Sequence, residues 1–299
     1  MKLSEAANIF YVSMIGVKAD TTVKWYQNRL SSLIDFLDDP PVDQVTLFSL
    51  ESFRASLNRP SKANGRKGKV SPYTIHAHVR AQKRFFSFLY RRQIIEKNPA
   101  DFLEKPRLPK QPRKGIKVQD AERMLEVSRD NCRDYAILLF IRDTGCRAGG
   151  VYNLLTDNLD IIHNSAIVRE KGDKERIVFY TTETALALAM YNSIRENPLE
   201  DDHFFLSDTY HEKLNYSGVY QIFRRLAAKA NVKTKFSPHQ WRHAAARSWI
   251  KAGMNLKVVA EILGHGSEQV TGDIYGTLGE DELHELYDKT QTVIHARIK

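Results

Sequence analysis

Apolar residues recur at helical spacing through the first hundred positions. Val23, Tyr26, Leu30, Leu33, Ile34 and Leu37 follow a 3.6-residue period and predict a helix over 19–37. A shorter helix is expected over 46–57. Ser71 followed by Pro72 is an N-cap with proline in the first turn, and it opens a long helix to about Arg92. That helix places Ile75, Val79, Phe86 and Leu89 on one face and Arg80, Lys83, Arg84 and Arg91 largely on another. Asn98-Pro99 stops the segment that follows, so residues 1 to about 102 read as helical throughout. The second half is mixed. A helix is expected from Val118 to about Asp143. Two strands, 165–168 and 176–180, flank a tight turn at Lys171-Gly172-Asp173-Lys174. Further helices are expected over 183–195, 217–230, 238–252, 256–263, 270–278 and from Glu280 to about Ala296. No internal repeat or low-complexity tract is present.

Two stretches interrupt this pattern. Residues 60–72 (PSKANGRKGKVSP) form a basic loop that lacks the spacing of a phosphate-binding P-loop. Residues 105–117 (KPRLPKQPRKGIK) contain three prolines, many cations and no acid, which forbids a regular helix and predicts a semi-rigid strap. A chain of 299 residues supports two cores. The expected division is 1–104, a linker over 105–117, and 118–299.

Charge changes the picture more than composition does. The net charge is +9. From Arg54 to Lys117, 18 Lys/Arg stand against three acids, a net of +15, so the rest of the chain carries −6. Such concentration favours a polyanionic partner. DNA or RNA is the favoured polyanion, and Lys62, Arg66, Lys67, Arg80, Lys83, Arg84, Arg113 and Lys114 are the candidate contacts to it. The two cysteines, Cys132 and Cys146, give neither a disulfide framework nor a metal spacing. No apolar run approaches the length of a membrane span and no signal-peptide layout is present, so a cytoplasmic protein without membrane contact is expected.

The chemistry-bearing motifs are individually ambiguous. Thr144-Gly145-Cys146-Arg147 and Leu263-Gly264-His265-Gly266 both read as helix ends, His239-x-x-Arg242 reads as a pair at a helix start, and Tyr275 is one of 13 tyrosines. Their order is the signal: TGCR (144–147), KGDKER (171–176), HQWRH (239–243), LGH (263–265), DIYG (273–276). In this order and spacing the chain resembles the tyrosine recombinase, or phage integrase, family over about 114–290, in an Xer-like or mobile-element form.

The resemblance implies a mainly α fold with a small β-sheet: an all-α, SAM-like core-binding bundle, then a mixed α/β catalytic domain, together forming a C-shaped clamp on duplex DNA. It implies site-specific cleavage and rejoining of DNA through a 3′-phosphotyrosyl link to Tyr275, for integration, excision or resolution. Arg147 and Arg242 would hold the scissile phosphate, which guanidinium matches bidentately. His239 would exchange the tyrosine proton, His265 would hydrogen-bond a non-bridging oxygen, and Lys171 would protonate the leaving 5′ oxygen. Lys174 and Arg176 are competing candidates from the same turn. Neither a cofactor nor a metal is implied. The implied partners are double-stranded DNA, three further copies of the chain in a tetramer on two sites, and an optional accessory DNA-bending protein. A type IB topoisomerase and a non-catalytic DNA-binding accessory protein are the competing readings. The chain departs from the family pattern at two points. The position three residues after the first arginine is usually acidic but here is Gly150, so either another carboxylate substitutes or the arginine is held less firmly. Trp241 replaces a common aliphatic, which reads as a packing change.

Overall fold

The computed structural model describes residues 1–58, 70–109, 115–170, 174–197, 199–234 and 236–264. Two units, Met1–Gln111 and Pro112–Lys299, divide the chain, and each encloses its own apolar cluster. The expected helices over 270–278 and 280–296 lie outside the described residues, as do the loop residues 59–69, the strap residues 110–114 and the turn residues 171–173.

The first unit is helical: α1 (Leu3–Val12), α2 (Asp20–Leu37), α3 (Leu47–Ser56) and α4 (Pro72–Arg91). The cap read from sequence opens α4, since Ser71 Oγ accepts the Thr74 N–H at 3.1 Å. Its apolar face buries Ile75, Val79, Phe85, Phe86 and Leu89. Phe10 of α1 meets that face, with ring centroids 5.5 Å from Phe85 and 5.1 Å from Tyr26. Arg80 and Arg84 remain exposed on the opposite side.

The second unit runs α5 (Val118–Ser128), α6 (Cys132–Thr144), α7 (Ala148–Tyr152), β1 (Leu159–Asp160), β2 (Ser165–Glu170), β3 (Lys174–Phe179), α8 (Thr182–Ile194), α9 (Tyr216–Lys229), α10 (Pro238–Lys251) and α11 (Leu256–Leu263). The single helix expected from Val118 to Asp143 is in fact two. Asn131 breaks it: its side chain accepts the Asp134 N–H at 2.9 Å and caps a new helix. The run Ala136–Ile141 is wholly buried, so α6 is a core helix surrounded on all sides, packed against α5, α8 and α10. Its far end is fastened to α8 through Asp143, whose carboxylate accepts from Thr181 Oγ1 and Thr184 Oγ1, both at 2.6 Å.

The three strands form an antiparallel sheet in the order β1-β2-β3. Both long strands extend further towards the turn than alternation suggested. Glu170 pairs with Lys174, so Lys174 and Arg176 belong to strand β3 and not to the turn. The inward face of β2 carries Ala166, Val168 and then Glu170, all buried. The end of the basic strap also differs from a free connector. The Ile116 N–H donates to Gln240 O at 3.2 Å, Ile116 is buried, and a Cβ at Gly115 would meet the Ala244 backbone nitrogen at 2.6 Å. Among the described residues, no helix is long and apolar enough to cross a membrane.

Candidate active site

The site begins at the end of α6. Thr144 Oγ1 donates to Phe140 O at 2.6 Å and accepts the Cys146 N–H at 3.2 Å. Gly145 closes the helix in the left-handed region, φ +56°. A Cβ there would lie 2.8 Å from Leu263 Cδ2 and 3.0 Å from the Trp249 ring, so a larger residue would be strained by the backbone and would have to displace the Leu263 methyl. This turn delivers Arg147 as the N-cap residue of α7.

Arg147 does not stand alone. Its backbone N–H donates to Glu170 Oε1 at 2.6 Å, and its guanidinium forms a salt bridge to Glu170 Oε2. Arg176 Nη2 reaches Glu170 Oε1 at 3.3 Å, and Arg242 Nη1 lies 3.7 Å from the same oxygen. Three guanidinium groups thus surround one carboxylate, leaving local positive charge in excess. The Glu170 side chain is only 4 % exposed, while that of Arg147 is 36 % exposed and faces solvent. Burial alone would raise the Glu170 pKa, but Arg176, the Arg147 amide, Arg242 and the Arg147 guanidinium together hold it below the ordinary carboxylate value.

Arg242 is placed by helix ends. Its Nη1 donates to Gly145 O at 2.7 Å and its Nη2 to Leu263 O at 2.6 Å. Arg176 Nη1 donates to Ile262 O. The last carbonyls of α6 and α11 lack helical partners, and cations satisfy them with the favourable sign of the helix dipole. Burial, and then repulsion from Arg147, lower the Arg242 pKa to about 10, still well above neutrality. Gly264 closes α11 at φ +63°, and a Cβ there would meet Arg176 Cδ at 3.0 Å. The helix-end reading of both glycine motifs therefore holds, and it is also how the arginines are positioned.

His239 lies exposed in the first turn of α10, one turn before Arg242. Its Nε2 is 3.0 Å from Nε2 of the buried His243, so one imidazole donates to the other. Trp241 is buried with its ring edge-on to Phe223 at 5.8 Å, the packing role read from sequence. Burial pushes the Cys146 thiol up to about 11, so it is uncharged beside Arg147. Among the described residues, no group of three or more His, Cys, Asp or Glu could hold a metal ion.

The candidate residues thus fall into three sets. Arg147 and Arg242 are brought together on Glu170, and His239 shares α10 with Arg242. Lys171, His265, Tyr275, Lys62, Arg66, Lys67, Arg113 and Lys114 lie outside the described residues. Arg80, Lys83 and Arg84 belong to α4 in the first unit, where Lys83 Nζ donates to Asp101 O at 2.8 Å and Leu103 O at 3.0 Å and the Arg80 guanidinium lies 5.5 Å from the Trp25 ring. Sequence reasoning missed Glu170 and His243. A signal existed for the first: Ala166, Val168 and Glu170 continue one inward alternation, and a carboxylate on a buried face demands a cation.

The second unit sets a small antiparallel sheet among helices and gathers guanidinium groups at the ends of two of them, an arrangement that can hold an anion. The phage integrase family matches residues 114–282, and the chain belongs to this family of tyrosine recombinases. It is similar to tyrosine recombinase XerA of Saccharolobus solfataricus, 30% identical over 91% of this chain and 87% of the relative. It is also similar to tyrosine recombinase XerC of Thermodesulfovibrio yellowstonii, 30% identical over 90% and 89%. Among solved structures, a XerA recombinase aligns with a TM-score of 0.55 at 26% identity, covering 96% of this chain and 98% of that one. A lambda integrase dimer bound to a COC′ core site aligns at TM-score 0.74 and 13% identity, covering 94% and 79%, which supports the fold.

Proposed function

We propose that this chain cleaves and rejoins duplex DNA at specific sites through a covalent 3′-phosphotyrosyl link to Tyr275. The single observation that carries the reading is the cationic centre: Arg147, Arg176 and Arg242, distant in sequence, share Glu170. One carboxylate does not neutralise three guanidiniums, and a phosphate is the complement such a centre accepts. Phosphoryl transfer passes through a pentacoordinate phosphorus with added charge on its non-bridging oxygens, which fixed cations stabilise.

In this reading Tyr275 Oη attacks the scissile phosphorus as His239 takes its proton. A phenol has a pKa near ~10 and needs such a base at neutral pH. The phosphorus–O5′ bond breaks, and the 5′ oxygen takes a proton from Lys171. Arg147, Arg242 and His265 bind the non-bridging oxygens. Ligation is the reverse, with a 5′ hydroxyl attacking the phosphotyrosine and Tyr275 recovering its proton. The bond energy stays in the phosphotyrosyl link, so no nucleotide is consumed. His243 holds the His239 ring in place through the 3.0 Å contact.

The first unit serves as the core-binding domain and residues 105–117 as the linker. Arg80 and Arg84 of α4, with Lys62, Arg66, Lys67, Arg113 and Lys114, lie along DNA phosphate, and recombination joins four copies on two sites. A XerH site-specific recombinase of similar fold has been solved bound to a palindromic difH substrate, which supports DNA as the partner.

The test is covalent capture. A library of random-sequence nicked duplexes is incubated with the full chain, and SDS-resistant complexes are recovered and sequenced to give the site. Tyr275→Phe is expected to abolish capture, whereas Tyr210→Phe, at an exposed tyrosine, is expected to retain it. Capture that survives Tyr275→Phe overturns the reading. Holliday junctions formed from two such sites distinguish recombination from simple relaxation of supercoils.

A further inference from the structure

We propose that Glu170 is the positioning residue of the arginine centre, a carboxylate supplied from strand β2 in place of the acidic side chain expected at position 150. This deepens the reading above and rests on it.

Space around Gly150 is the first argument. A Cβ built there would lie 3.4 Å from Glu170 Oε1, 3.4 Å from Val168 Cβ and 3.1 Å from Cys146 Cβ. A side chain at position 150 would thus stand in van der Waals contact with the Glu170 carboxylate, so the two positions border the same space, and in this chain the carboxylate in it comes from the strand. The missing side chain of Gly150 and the buried charge of Glu170 are two halves of one arrangement.

The second argument is what Glu170 touches. One oxygen accepts the Arg147 amide at 2.6 Å and Arg176 at 3.3 Å, and stands 3.7 Å from Arg242; the other pairs with the Arg147 guanidinium. Arg147 is thus gripped at both its backbone and its side chain, which fixes where its remaining N–H donors point. Glu170 also offsets repulsion among three guanidiniums that would otherwise be driven apart. It is too deeply buried to meet a substrate, so it acts through the arginines. Its position carries a further consequence. As the last residue of β2 it directly precedes Lys171, so the base of that turn is fastened to the phosphate-binding arginines.

The experiment compares single-turnover cleavage by the full chain on the nicked duplex recovered by capture, with thermal melting of every variant. Glu170→Gln is expected to cleave about 10²-fold more slowly, the cost of a small misplacement of catalytic groups. Glu170→Asp keeps the charge and is expected to fall between Glu170→Gln and the wild type, and it serves if Glu170→Gln does not fold. Returning the carboxylate to the other side is the decisive arm, because a merely structural role for Glu170 would not respond to it. Gly150→Glu alone, with two carboxylates in one space, is expected to be impaired. The double variant Gly150→Glu/Glu170→Gly is expected to cleave at least about tenfold faster than Glu170→Gly alone. The proposal is overturned if folded Glu170→Gln, or folded Glu170→Asp where Gln does not fold, matches the wild-type rate, or if the double variant gains nothing over Glu170→Gly. A wild-type chain that captures no DNA overturns instead the reading of Tyr275.

Discussion

Arg147 and Arg242 are the same residue type in one centre, yet they are held in opposite ways. Arg242, 3 % exposed, donates to the closing carbonyls of two helices, whereas Arg147 is 36 % exposed and bound to a single carboxylate. Removing them should therefore have separable effects. Arg242→Ala orphans two buried helix ends and is expected to lower stability by about 2–4 kcal/mol, read by urea denaturation, as well as abolishing cleavage. Arg147→Gln, which leaves Glu170 two of its three cations, is expected to lower the urea midpoint less than Arg242→Ala does while slowing cleavage about 10²–10³-fold. Equal destabilisation by the two substitutions would contradict this division of labour. His243 stands in a similar relation to His239: it is a buried ring whose visible consequence is the orientation of an exposed one.

At the scale of elements, two carboxylates act as clasps. Asp143 fastens the end of α6 to the start of α8, and Glu170 fastens β2 to α7 and β3. Burial would raise both pKa values, but for Asp143 the Arg142 guanidinium and the Thr181 and Thr184 hydroxyls reverse the sign, as the arginines do for Glu170. Both groups are held below their ordinary values, so in acid the unfolded chain binds more protons than the folded one. Stability is then fully present above the unfolded carboxylate pKa and is lost as pH falls through the folded values. Urea midpoints measured across pH should plateau above about pH 5 and fall on the acid side, and Asp143→Asn should shallow that fall. A flat profile would show that neither clasp carries linked stability.

The long helices and the hairpin were legible because their signals are local: the cap at Ser71, the apolar periods of α2 and α4, the glycine cue between β2 and β3. The break between α5 and α6 was not, since Asn131 caps a helix inside an otherwise helical stretch and is polar enough to pass as a surface position. The strand ends were missed for a different reason. Arg169, Glu170, Lys174 and Glu175 are all charged, and charge interrupts the alternation by which a strand is recognised, although Arg169 pairs with Glu175 and Glu170 with Lys174 in the ladder. The arginines themselves were found from motif order, while the carboxylate that organises them lies outside every motif position the family pattern marks as acidic.

For the whole molecule, charge asymmetry decides the kind of binding. The net +15 of residues 54–117, against −6 elsewhere, concentrates cations in the first unit and the strap. Affinity drawn mainly from phosphate contacts falls linearly in log–log terms with salt, by about 0.9 per phosphate neutralised. Filter binding between 50 and 200 mM salt, roughly the range over which such contacts weaken, should show a steep slope. Arg84→Ala should reduce it by about one phosphate's share without altering which sequence is chosen. A slope unaffected by removing exposed α4 cations would place the DNA contacts elsewhere.

The hydrogen bond from Arg242 to Gly145 O also bears on how the protein is made. It joins a position near the middle of the chain to one close to its end. The pairings of Glu170 with Arg147 and Arg176 lie 23 and 6 positions apart and can close while synthesis continues, but Arg242 and the carbonyls of α11 emerge later. A ribosome-stalled or prematurely released fragment ending before α10 holds two of the three arginines of the cationic centre and lacks Tyr275. On the proposed function such a fragment can rest on DNA but cannot cut it, so the capacity to cleave arises only after α10 and Tyr275 have been made.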